Sequence, residues 1–90
     1  MLRVYLRVGG TVQGVGFRYF AYHTANRLGL TGWVRNRDDG DVEMEVQGNE
    51  SAVGAFAEAV KQGPAWAEVA QFEQHEIDPI VEHSFRVAGW

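Results

Sequence analysis

Between Gly10 and Arg18 the chain reads Gly-Thr-Val-Gln-Gly-Val-Gly-Phe-Arg, a glycine-containing turn that ends on a cation. The residues before it alternate as a strand does and those after it are spaced as on a helix, so the segment is a strand-to-helix turn. Such a turn presents several backbone N–H groups that have no partner within the chain, and these can converge on an anion. Gly14 and Gly16 permit backbone angles and a closeness of approach that side chains would obstruct. Arg18, opening the helix, adds a planar guanidinium fork able to hold two phosphate oxygens at once. The pattern fits a phosphoryl group. It does not fit a nucleotide, because the lysine and hydroxyl of a nucleotide P-loop are missing and the glycines do not follow Gly-x-Gly-x-x-Gly. Each feature alone also has an ordinary reading: Gly-x-Gly as a tight turn, Arg18 as a solvated helix residue, and Asn36, 18 residues further on, as a turn former at a strand end.

The elements that must position these residues follow from periodicity. Leu2, Val4, Leu6 and Val8 alternate with Arg3, Tyr5 and Arg7, which predicts a first strand with one buried face. From Phe17 the spacing changes, and Phe17, Phe20, Ala21, Thr24 and Leu28 line one side of a helix that ends at Gly29. Thr31 to Asn36 reads as a second strand. The turn Asp38-Asp39-Gly40-Asp41 leads into a third, Val42 to Gln47, whose apolar residues alternate with Glu43 and Glu45. Asn49 or Ser51 caps a second helix with Val53, Phe56, Ala57 and Val60 on its apolar face, and Gly63-Pro64 stops it. Ala67 to about His75, with imperfect alternation that allows a bulge, and Ser84 to Val87 read as strands joined through Asp78-Pro79. The predicted fold is α+β: a ferredoxin-like split βαβ sandwich, with an antiparallel sheet of four to five strands and two helices on one face.

Composition narrows the function classes. Ninety residues support one core, so residues 1–90 read as a single domain. The sequence contains no cysteine, which removes disulfides, thiol nucleophiles and thiolate metal sites. No apolar run is long enough for a membrane helix and the N-terminus is not a signal-type block, so the reading is a soluble, cytoplasmic protein without a membrane partner. The net charge of −4 conceals an asymmetry: residues 1–37 hold six arginines and no acid, while all twelve acids follow, against Lys61 and Arg86. The two parts either pair across the fold or leave part of the arginine excess to attract a small anion, and both can hold together.

In combination, the two segments resemble the acylphosphatase family. Its first signature, Gly-x-Val-Gln-Gly-Val-x-Phe-Arg, is matched by residues 10–18, and its second, Gly-x-Val-x-Asn-x-x-Asp-Gly, by Gly-Trp-Val-Arg-Asn-Arg-Asp-Asp-Gly at residues 32–40. The similarity covers essentially the whole chain and is looser in the C-terminal third. It implies that Arg18 binds the phosphate, that the backbone of Gln13, Gly14, Val15, Gly16 and Phe17 forms the cradle, and that Asn36 positions the attacking water. It further implies hydrolysis of acyl phosphates to a carboxylate and inorganic phosphate.

A carboxylate leaves readily, so holding the phosphoryl group, compensating its charge and aiming water are the tasks expected of the protein. No cofactor and no metal are expected, since Arg18 and the amides supply positive potential and metal-ligand spacing is absent. His23, His75 and His83 lie outside both motifs, and Asp38, Asp39 and Asp41 read as a solvated turn. Two other classes compete. An RNA-recognition module shares the element order, but the third strand offers Glu43 and Glu45 where stacking aromatics belong, facing Arg3 and Arg7, and the pI near 5.2 argues against a nucleic-acid partner. A non-catalytic phosphate sensor has no use for Asn36. A free-standing monomeric enzyme acting on a small acyl phosphate is expected, ahead of the related domain found inside larger carbamoyl-handling maturation proteins.

Overall fold

The apolar alternation of the first ten residues builds strand β1 (Leu2–Thr11), an interior strand of a five-stranded sheet in the computed structural model, which describes residues 1–88. The chain continues through helix α1 (Phe17–Arg27), strands β2 (Thr31–Asn36) and β3 (Val42–Gly48), helix α2 (Glu50–Gln62), and strands β4 (Glu68–Ile77) and β5 (Phe85–Val87). The sheet order is β4-β1-β3-β2-β5, the expected ferredoxin-like α+β plan.

Val4, Leu6, Val8, Val34, Val42, Met44 and Val46 project from one face of the sheet and meet Val53, Phe56, Ala57 and Val60 of α2, the four residues its periodicity selects. Asn49 resolves the capping alternative, its side chain accepting the Ala52 N–H at 2.8 Å. On α1 the buried residues are Phe17, Ala21, Thr24 and Ala25. Ala25 thus takes the place expected for Phe20 and Leu28, which are only half-buried. Two alanines at the centre of the stripe let the helix lie close to the sheet, and Phe20 is left at the margin, edge-on to Phe17 at 6.0 Å. The irregularity expected in β4 is a register shift opposite Gly9 and Gly10.

The antiparallel expectation holds for β4, β1, β3 and β2, whereas β5 runs parallel to β2, making the sheet mixed. The reason is topological. After β4 the chain crosses the open face of the sheet to the far edge and must run back, antiparallel to β4, which is also the direction of β2. Gln47 on β3 holds the crossing by accepting the Ile80 N–H at 2.9 Å and donating to the Ile80 carbonyl at 2.8 Å.

This strap also explains Arg3, which alternation assigns to solvent but which is only 1% exposed. Its guanidinium donates to Glu45 at 2.7 and 2.9 Å, to Gln47 at 3.2 Å and to Glu82, on the strap, at 2.8 Å. Burial opposes the charge, but the hydrogen bonds and charges of Glu82 and Glu45 outweigh it and raise the Arg3 pKa. Arg7 pairs with Asp41 and Asp39 rather than Glu43, which instead takes Tyr5, Arg35 and Arg37.

Candidate active site

The loop between β1 and α1 is pinned in the core at both ends, by Val12 and Phe17, each 1% exposed. Between these anchors Gly14 (φ 73°) and Gly16 (φ 80°) adopt left-handed backbone. A Cβ at either position would meet no protein atom within 4 Å, so backbone angle, and not crowding by the protein, is what requires glycine. Gly16 is the N-cap of α1 and provides no side-chain cap, and the first helical turn contains no acid. The first helical bond runs from Phe20 N–H to the Gly16 carbonyl at 3.0 Å. Among the described residues, no turn, loop or cap hydrogen bond engages the amides of Gln13 to Tyr19. The turn therefore carries free N–H groups at the positive end of a helix dipole.

Arg18 stands beside them without an acidic partner among the described residues. Arg3, Arg7, Arg35 and Arg37 are all held by carboxylates. Arg37, the residue after Asn36, is drawn to Asp39 and Glu43, whose hydrogen bonds raise its pKa. Cross-fold pairing thus accounts for most of the arginine excess and leaves Arg18 available at the loop.

Asn36 closes β2 with the same parity as Gly32 and Val34, the residues buried beneath the helices, so its side chain emerges on the α1 side of the sheet. Its Oδ1 is buried and has no hydrogen-bond partner among the described residues. A buried acceptor left unpaired is costly and rare, and here it opens onto the same cleft as Arg18. That cleft, about 470 Å³, is lined by Val12, Gly14, Gly16, Phe17, Arg18, Tyr19, Asn36 and Val87. The two glycines, Phe17, Arg18 and Asn36, singled out from sequence, are thus brought together.

Gln13 and Val15 do not line the cleft with their side chains. Gln13 turns to the β2–β3 hairpin, where its Nε2 donates to the carbonyls of Arg37 at 2.7 Å and Asp41 at 3.0 Å, tying the loop to the segment that follows Asn36. This tether, and the presence of Tyr19 and Val87 at the cleft, were not anticipated. Tyr19 adjoins Arg18 in sequence and could have been flagged, whereas the other two depend on tertiary placement that no local pattern encodes.

Among the described residues, an uncapped glycine turn, an arginine without an acidic partner and an amide oxygen without a hydrogen-bond partner thus share one cleft, an arrangement chemically able to hold a small tetrahedral anion with water beside it. Comparison with known proteins places the chain in a family. The acylphosphatase family model matches residues 4–87. The acylphosphatase of Bifidobacterium longum is 47% identical over 89 residues, covering 99% of this chain and 91% of its own. That of Geobacillus thermodenitrificans is 51% identical, covering 97% and 94%. The crystal structure of acylphosphatase from Bacillus subtilis superposes with a TM-score of 0.95 at 42% identity, covering 99% of this chain and all of that one. The chain belongs to the acylphosphatase family, and the hydrolase class that its two motifs imply stands.

Proposed function

We propose that this protein hydrolyses acyl phosphates to a carboxylate and inorganic phosphate by metal-free, in-line attack of water. The observation that carries the reading is the buried, unpaired Oδ1 of Asn36 in one cleft with Arg18 and the free amides. The amides of Gln13 to Phe17 and the Arg18 guanidinium hold the three equatorial oxygens and compensate their charge. Asn36 accepts one proton of the water in a hydrogen bond and so aims an oxygen lone pair at phosphorus. As the new P–O bond forms, the bond from phosphorus to the acyl oxygen breaks and its electron pair leaves on the carboxylate. An amide is too weak a base to take a water proton outright, so Asn36 acts by position, and both water protons end on the phosphate product, one staying on the attacking oxygen and one passing to a phosphoryl oxygen.

Among the described residues no group of three or more His, Asp or Glu side chains is placed to hold a metal ion. The proposed enzyme is a cytoplasmic monomer working on a small molecule, without nucleic-acid or membrane partners. On the open sheet face, Arg3 and Arg35 are already neutralised by Glu45 and Glu43, leaving little for a polyanion. No helix among the described residues is long and apolar enough to cross a membrane. The test is phosphate release from acetyl phosphate by wild-type and Arg18→Ala protein in the presence of chelator. Turnover by the former and a loss of at least about 100-fold in kcat/KM in the latter is expected, the scale of removing one preorganised charge-stabilising group. Equal rates, or activity that returns only with added metal, overturn the reading.

A further inference from the structure

The cleft is larger than a phosphoryl group needs. At roughly 30 Å³ for each water-sized group, the few heavy atoms of a phosphoryl occupy only a fraction of its 470 Å³. The rest must receive the acyl portion of the substrate. In-line displacement sends the leaving carboxylate away from the water, and so away from Asn36. Val87 sits on the water side, because β5 pairs it with Val34, two residues before Asn36 on β2. Val12 and Phe17 are almost wholly buried and form the floor. Arg18 is committed to the phosphoryl oxygens in the proposed reaction, so among the described residues Tyr19 is the one exposed aromatic side chain at the cleft.

Tyr19 is unusual for a helix residue next to a core, since 66% of it is exposed. Its ring is nevertheless held in place, 4.6 Å from the His23 ring and 6.4 Å from that of Tyr22 on the following turn. These tilted ring contacts, at 41° and 33°, restrain one side of the ring, and Tyr19 also lines the cleft. An aromatic surface ordered before binding loses little entropy when an acyl group packs on it.

We infer that Tyr19 is a specificity-determining residue that packs against the acyl group and favours aromatic acyl phosphates over short aliphatic ones. The inference rests on the proposed acyl phosphate hydrolysis and adds a substrate class to it. Because the acyl group is bound both before and during reaction, the preference resides mainly in KM.

Wild-type, Tyr19→Ala and Tyr19→Phe proteins are compared with benzoyl phosphate and acetyl phosphate by initial phosphate release. The Tyr19→Ala change is expected to lower the benzoyl-to-acetyl ratio of kcat/KM about 2- to 12-fold, the scale of one aromatic pair, chiefly by raising KM for benzoyl phosphate. Tyr19→Phe, which keeps the ring, is expected to keep the ratio. If Tyr19→Ala lowers both substrates alike, or if Tyr19→Phe loses the ratio as fully as alanine does, the inference is overturned while the hydrolytic reading stands. A folded wild-type protein inert toward both substrates overturns the two together.

Discussion

Replacing Gln13 by alanine removes one nitrogen that donates twice, to the carbonyls of Arg37 and Asp41. At about 0.5–1.5 kcal/mol for each hydrogen bond the loss in stability could reach about 3 kcal/mol. Two features bring it down. The Asp41 carbonyl keeps the Arg37 N–H at 2.8 Å, and the hairpin mouth is open enough for water to replace the amide. About 1 kcal/mol is therefore expected, or roughly 4–8 °C in Tm for a domain of this size. The kinetic effect should be larger than the stability effect. Gln13 links the loop proposed to hold phosphate to the strand end proposed to hold water, and misplacement by about 1 Å can reduce rate by on the order of 100-fold. We expect kcat for acetyl phosphate to fall about 10- to 100-fold at a temperature well below Tm, with KM little changed because the cradle keeps its own anchors, Val12 and Phe17. A double-mutant cycle separates positioning from general loosening. If Gln13 acts through Asn36, then adding Gln13→Ala to Asn36→Ala slows the enzyme no further. Independent, multiplying effects of the two changes, or a single-mutant kcat within about twofold of wild type, would refute the argument.

Other perturbations probe the remaining parts. Arg18→Lys keeps the charge and loses the two-oxygen fork; at about 1.5–3 kcal/mol for a charged hydrogen bond, kcat/KM should drop roughly 10- to 150-fold, and near-normal turnover would contradict bidentate binding. Asn36→Ala should lower kcat on the order of 100-fold while KM moves little, whereas the reverse pattern in steady-state kinetics would reassign Asn36 to phosphate binding. Glu43→Gln addresses stability. Burial alone would raise the Glu43 pKa, but hydrogen bonds from Tyr5, Arg35 and Arg37 together lower it. The folded form thus favours the carboxylate, and its stabilisation is present above the ordinary value of 4.5 and lost as pH falls through the lowered folded value. Thermal melts should place the variant about 1–3 kcal/mol below wild type at neutral pH, with the gap closing on acidification below about pH 4.5. A gap independent of pH would assign the effect to packing.

How much of this was legible in the sequence depended on the distance over which each cause acts. The boundaries of β2, the four buried residues of α2 and the stop at Gly63 follow from side-chain period and capping, which are local, and the structure returns them unchanged. Phe20 was misassigned because its burial depends on how closely α1 approaches the sheet, which Ala21 and Ala25 decide. Arg3 was misassigned because the strap that covers it comes from residues 78–84, at the other end of the chain. The glycine turn and the place of Arg18 at the start of α1 were readable for the opposite reason, being contiguous. Asn36 joined them only through motif resemblance, since no local signal states that a strand end 18 residues away shares a cleft with a helix start. Gln13 shows the limit of such reading: its place in the motif was visible, while the direction of its side chain was not.

The charge asymmetry resolves by the same logic. Sheet order inserts β3 between β1 and β2, and strand parity points Glu43 and Glu45 to the open face together with Arg3, Arg7 and Arg35. Cations and acids that are far apart in sequence thereby become cross-strand neighbours, and those arginines are neutralised. Arg18 escapes because it belongs to the helical layer on the opposite side of the sheet, where α1 offers no acid in its first turn. On that layer the two acids of α2, Glu50 and Glu58, make no ion pair with Arg18 among the described residues. Segregating the layers therefore leaves Arg18 without an acidic partner among the described residues, beside a set of free amides, so an acidic protein with a net charge of −4 can still present a local positive site to a phosphate.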